Sequence, residues 1–161
     1  MVMRKAEIVL SNHELSVAGQ VGFRRNLEAT LNGRQARFKE RVPGELWGFH
    51  IHSAMAELAV AKYLGRYWSF HENHFESGDV GKLEIRFSNR ADCKVRKRDD
   101  GVVVSVSGGV TKFILNGWIE ASEAKRDAWV HSPRPEAPPA YFVPHPYLND
   151  MESLISISGE N

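Results

Sequence analysis

Cysteine is nearly absent from this chain: Cys93 is the only one in 161 residues. A single thiol excludes an internal disulfide and points to a reducing compartment, so a cytoplasmic location is expected. Long apolar runs are missing as well. No window approaches the roughly 18 apolar residues of a membrane span. The N-terminal stretch MVMRKAEIVL carries no apolar core like that of a secretory signal. A soluble protein without a membrane partner is therefore expected. Net charge is close to nil, with 21 Lys and Arg against 20 Asp and Glu. Bulk charge thus gives no sign of a polyanion partner. Repeats and low-complexity tracts are lacking too. What remains is a 42% hydrophobic composition, enough for the core of one domain spanning 1–161.

Ser11 and Glu14 have the spacing of a capping box, and Leu10 and Leu15 that of a hydrophobic staple. They predict a helix running to about Leu31 and stopped by Asn32-Gly33. Arg24, Arg25 and Glu28 are expected on its exposed surface. A basic connector with a Pro43-Gly44 turn follows. The second helix, GFHIHSAMAELAVAKYLG, is apolar or small at most positions and ends at Gly65. Its one carboxylate is Glu57. A helix apolar nearly all round is buried, and a carboxylate there needs a basic partner or a bound cation. Ala54 and Ala61 share its stripe and leave room for another element to approach.

The pattern then changes to period two. Leu83, Ile85 and Phe87 alternate with Glu84, Arg86 and Ser88, so Lys82, Glu84 and Arg86 share the polar face of a strand. Asp79 stands just before it, in a turn between Gly78 and Gly81 that lets its carboxylate fold toward Glu84. Two carboxylates that close repel unless a cation lies between them. Magnesium suits such a place, since it takes a few carboxylates, waters and phosphate oxygens. The backbone carbonyl of Ile85 is a further candidate ligand. The alternatives are plain: Glu57 paired with a basic residue in the core, Asp79 stabilising only its turn, and Glu84 with Arg86 as a solvated strand face.

A helical Glu, then an Asp, then Glu-x-(Lys) on the next strand resembles the PD-(D/E)xK nuclease superfamily. The pieces are SAMAELAVAKYLG, GDVG and LEIR, and the stretches FILNGWIEASEAKR and PPAYFVPHPYL are similar to compact phage-encoded members. The resemblance covers roughly Gly48 to Leu148. It implies a restriction-endonuclease-like core and a host that is a bacterial or phage-infected cell. It also implies magnesium- or manganese-dependent hydrolysis of DNA. By position, Glu57 is the helical acid and Asp79 and Glu84 are the metal-binding acids. Arg86 takes the lysine's place. Arginine keeps its proton, so Arg86 would stabilise anionic oxygens without acting as a base. Lys82 or Lys94 would supply an ammonium. The rival reading is a non-catalytic nucleic-acid-binding or phage and defence accessory protein on the same fold.

Later stretches complete the expectation. CKVRKRDDGVVVSVSGG reads as a hairpin turning at Asp99-Asp100-Gly101. TKFILNGWIEA reads as a strand bulged at Gly117, and SEAKRDAWV as a short helix capped by Ser122. The proline-rich HSPRPEAPPAYFVPHPYL is expected to hold no regular element, and the tail 149–161 to be disordered. Lys94, Arg96 and Arg98 are candidate phosphate contacts. His50 with His52, and His71 with His74, form an alternative zinc set, which requires the second helix to begin after His52. The four tryptophans are expected in core or edge packing. The fold class is α/β (α+β): two N-terminal helices on a mixed, largely antiparallel sheet of four or five strands. A homodimer is compatible with this reading.

Overall fold

In the computed structural model, residues 4–32, 44–70 and 79–158 are described. The Ser11 hydroxyl accepts from the Glu14 N–H at 3.2 Å, and the Glu14 carboxylate accepts from the Ser11 N–H at 2.7 Å. This reciprocal cap opens α1 (Asn12–Leu31). Strand β1 (Ala6–Val9), too short to be evident in the sequence, precedes it. Helix α2 (Glu45–Leu64) starts earlier than expected and ends at Gly65, whose φ of 62° is the left-handed stop its sequence announced. The two helices press together at Gly22, where a Cβ would lie 2.5 Å from the Ile51 Cα.

The strands that follow are β2 (Glu84–Phe87), β3 (Asp92–Val95), β4 (Val102–Gly108) and β5 (Lys112–Glu120). A four-residue helix α3 (Ala121–Ala124), β6 (Val130–His131), β7 (Ala140–Pro144) and α4 (Met151–Ser158) complete the order. They build two sheets rather than the one expected. The first runs β1-β5-β4-β2, with β2 parallel to β4 and the other pairs antiparallel. The second runs β3-β7-β6 and is antiparallel throughout.

The larger sheet is the middle layer. One of its faces, through Val104, Val106, Phe113 and Leu115, packs on Ala54 and Val60 of α2 and on Met151 and Leu154 of α4. Its other face, through Val103 and Ile119, meets Cys93, Val95 and Val143 of the smaller sheet and both alanines of α3. The architecture is thus mixed α and β, as expected at that level.

Four local expectations are corrected. The stretch from Cys93 to Gly109 is no hairpin. Its turn exists, with Gly101 at φ 72°, but β3 pairs with β7 and β4 with β5 and β2. The proline-rich stretch does contain a strand: Tyr141, Phe142 and Val143 pair with Val95, Lys94 and Cys93 of β3, and Pro144 stands at the end of β7, where a missing N–H costs little. Glu120, not Ser122, precedes α3. The tail is helical from Met151, because Met151 and Leu154 fill the main core. The bulge in β5 is where Gly117 foretold it. Ser105 faces Gly117 while Val106 faces Leu115, and a Cβ at Gly117 would strike the Asn149 carbonyl oxygen at 2.6 Å.

Candidate active site at the edge of the larger sheet

Strand β2 is an edge strand, so half of its peptide groups lack a strand partner. Ser88 donates its N–H to the Val106 carbonyl at 2.9 Å. Peptide direction alternates along a strand, so the groups of Leu83 and Ile85 face the open side. Leu83 there exchanges bonds with Val80 at 3.0 and 3.3 Å. Between them the chain reverses through Gly81, at φ 62°. This tight loop folds Asp79 back onto the strand, and Asp79 Oδ2 accepts the Ile85 N–H at 2.7 Å. The Ile85 carbonyl shares the direction of its N–H. It therefore lies on the side of the Asp79 carboxylate, with a long 3.5 Å contact from Arg86.

Asp79 titrates far from an ordinary carboxylate. Burial above all, and then the negative charges of Glu57 and Glu84, raise its pKa from 3.8 to about 7 against the opposing effects of the Ile85 N–H and Arg86. Asp79 is therefore within electrostatic reach of both Glu57 and Glu84. Asp79 Oδ1 and Glu84 Oε1 accept no hydrogen bond among the described residues.

Glu57 is different. It is 4% exposed, and a two-pronged pair with Arg25 engages both of its oxygens, at 2.6 and 2.9 Å. Trp68 Nε1 adds a third bond at 3.1 Å. Arg25 is thus not the surface residue expected of α1: its side chain is only 13% exposed. The plain alternative for Glu57, a basic partner in the core, is the arrangement present. A signal for it existed, since Arg24 and Arg25 are the only Lys or Arg residues on the neighbouring helix.

Glu84 and Arg86 lie on the β2 face that meets the smaller sheet, half-buried rather than solvated. Arg86 donates to Glu84 Oε2 at 3.0 Å and to Asp99 Oδ2 at 2.6 Å. Burial opposes its charge, but Asp99 and Glu84 prevail and its pKa rises. Its Nε is buried and has no hydrogen-bond partner among the described residues. The sequence shows Asp99 only as a turn residue. It is 6% exposed, also accepts the Arg96 N–H at 2.8 Å, and has its carbonyl held by Lys125 at 2.8 Å.

Lys82 lies in the exposed turn before β2, not in the strand. Lys94 alternates with the buried Cys93 and Val95, while Arg96 and Arg98 are exposed beyond β3. Burial lowers the Lys94 pKa, and the charges of Arg96, Arg86 and Arg90 lower it further. Lys94 thus stands within electrostatic reach of Arg86, Arg90 and Arg96. His50 and His52 both lie inside α2 and point apart; His52 instead bonds the Gly48 carbonyl at 2.8 Å and stacks on Phe87. His71, His74 and Gly78 lie outside the described residues, as does the connector 33–43 with Pro43.

Among the described residues, no three His, Cys, Asp or Glu side chains form a group that could hold a metal ion. No helix among them is long and apolar enough to cross a membrane. No family model, curated protein or solved structure matches this chain.

The donor chemistry at the edge nevertheless suits a hard cation. Magnesium is commonly held by one or two carboxylates, its remaining positions filled by water and substrate phosphate. Asp79 Oδ1, Glu84 Oε1 and the Ile85 carbonyl are oxygen donors of that kind. The fit is to a two-acid site, not to a three-acid cage.

Proposed function

We propose that this chain is a magnesium- or manganese-dependent nuclease-like protein acting on DNA, on a restriction-endonuclease-like core. The observation that supports it most is the convergence of Asp79, Glu84 and the Ile85 peptide at one open sheet edge. There burial and the charges of Glu57 and Glu84 raise the pKa of the Asp79 carboxylate, which accepts the Ile85 N–H. Clusters of that kind recur at functional sites.

In this reading Asp79, Glu84 and the Ile85 carbonyl hold the ion. When bound, it supplies a lowered pKa for water and neutralises charge building on the phosphoryl oxygens. Arg86 keeps its own charge and is held by Asp99. It faces the scissile phosphate as a fixed cation, with Lys82 as a mobile second one. Lys94, Arg96 and Arg98 hold the adjoining backbone, a contribution that weakens as salt rises.

A second reading is favoured by the ion pairs. Arg25 neutralises Glu57, and Arg86 neutralises one oxygen of Glu84. A nucleic-acid-binding accessory protein without turnover would keep such pairs closed. The deciding experiment incubates the chain with supercoiled and linear DNA in millimolar manganese or in chelator. Metal-dependent cleavage that Glu84→Gln and Asp79→Asn abolish supports the enzyme. DNA affinity that persists in chelator, with no cleavage of any DNA, leaves the binding module.

A further inference from the structure

We infer that the outer face of the smaller sheet is a stacking platform for single-stranded nucleic acid, centred on Phe142 with Arg90 and His131 beside it. This deepens the proposed function, and rests on that reading only for where the bound strand leads. Side chains alternate in direction along a strand, and directly opposed residues share a face. Cys93, Val95 and Val143 are buried toward the larger sheet. Asp92, Lys94 and Phe142 therefore project from the other side, with Lys94 opposite Phe142 and His131 opposite Ala140.

On that outer face the half-buried Phe142 ring is flanked by two planar polar groups. The Arg90 guanidinium carbon lies 5.3 Å from the ring centroid. The His131 ring meets it edge-on, with centroids 5.7 Å apart. Arg90 and His131 are both exposed. Unpaired bases stack on aromatic rings and on guanidinium planes. Positive charge runs along the same strand: Lys94 shares the face, and Arg96 and Arg98 are exposed just beyond it. Asp92 also faces this way and pairs with Arg90 at 3.3 Å. Planes for bases beside cations for phosphates suit an unpaired strand. A duplex keeps its bases stacked on one another, and an acidic peptide would use the cations without the planes. The platform adjoins the acid edge, because Asp99 Oδ2 accepts from both Arg86 and the Arg96 N–H at the end of β3. A strand laid along β3 therefore leads toward Arg86.

Fluorescence anisotropy of the full chain in chelator tests this. The probes are an oligothymidylate of about 12 nucleotides, an abasic oligomer of the same length, and a duplex of the same length. Wild type should bind the oligothymidylate roughly tenfold more tightly than the abasic oligomer, and more tightly than the duplex. Phe142→Leu keeps an apolar side chain without the ring, and should bind the two single strands alike at the wild-type abasic affinity. The double variant Arg90→Lys/His131→Ser changes two exposed positions and keeps the Arg90 charge. It should shrink the same preference, and carries the test if Phe142→Leu does not fold. No binding, equal wild-type affinity for the two single strands, or tighter binding of the duplex overturns the platform. So does a preference that survives in the variants, or polyglutamate that competes as well as unlabelled oligothymidylate. Metal-dependent cleavage without a base preference leaves the nuclease reading standing and removes the platform. A base preference without cleavage supports the platform on a binding protein.

Discussion

The α1–α2 interface and the open edge of β2 each bury a carboxylate, and they treat it oppositely. Glu57 has two guanidinium bonds and an indole N–H. Asp79 has one backbone N–H and stands in the field of two other acids. The first arrangement is complete without any ligand. The second holds its proton to about pH 7, because burial and its acidic neighbours oppose the charge. The difference separates a carboxylate that holds two helices together from one suited to bind.

The sharpest way to break this comparison is to remove Arg25. Arg25→Leu leaves the buried Glu57 carboxylate with no basic partner and only the Trp68 N–H, and should cost about 3–5 kcal/mol in urea denaturation. Replacing both partners with leucine should recover most of that loss. Asp99→Asn comes next. It weakens a charge-assisted bond to Arg86, and a loss of about 1.5–3 kcal/mol is expected. If the proposed role of Arg86 holds, DNA cleavage should fall in a protein that remains folded under the assay conditions.

Asp79 offers a test with the opposite sign. Folded, it keeps its proton to about pH 7; in the open chain it releases it near 3.8. Between those values the folded state binds more protons, so stability falls as pH rises through the window and levels off above it. Metal-free Asp79→Asn should lose that slope. At pH 8 it should be more stable than wild type, as read from denaturation curves across pH. The smallest effect on folding is expected for Lys94→Ala, Arg96→Ala and Arg98→Ala together, roughly 0.5 kcal/mol or less each. The same triple change should make DNA binding markedly less salt-dependent, measured by fluorescence anisotropy over a salt series.

Much of the fold was legible because its signals are local. Ser11 with Glu14, Gly65, Gly117 and the alternation around Ile85 each act within a few residues, and each held. What escaped depends on distant chain. Nothing near Tyr141 says that it pairs with Val95, and prolines on either side concealed the strand. The tail became a helix because Met151 and Leu154 fill a core assembled by other elements. At the site, Glu57 and Asp79 were recognisable as costly acids. The partner of the first lies 32 residues away on a helix whose surface looked solvated. Asp99, written in a turn-forming Asp-Asp-Gly, gave no hint that it would anchor Arg86.

Strand β3 separates β2 from β4 in the chain yet belongs to the other sheet, while β2 and β4 lie side by side and parallel. The polypeptide must leave the first layer, contribute to the second, and come back before the acid edge exists. The partner that β3 needs there, β7, is among the last elements in the order. Assembly is therefore interlocked, and a chain cut after β5 would leave β3 without its partner while retaining Asp79, Glu84 and Asp99. The layers should open and close as one cooperative unit, so the acid edge and the cationic strand beside it appear or vanish together.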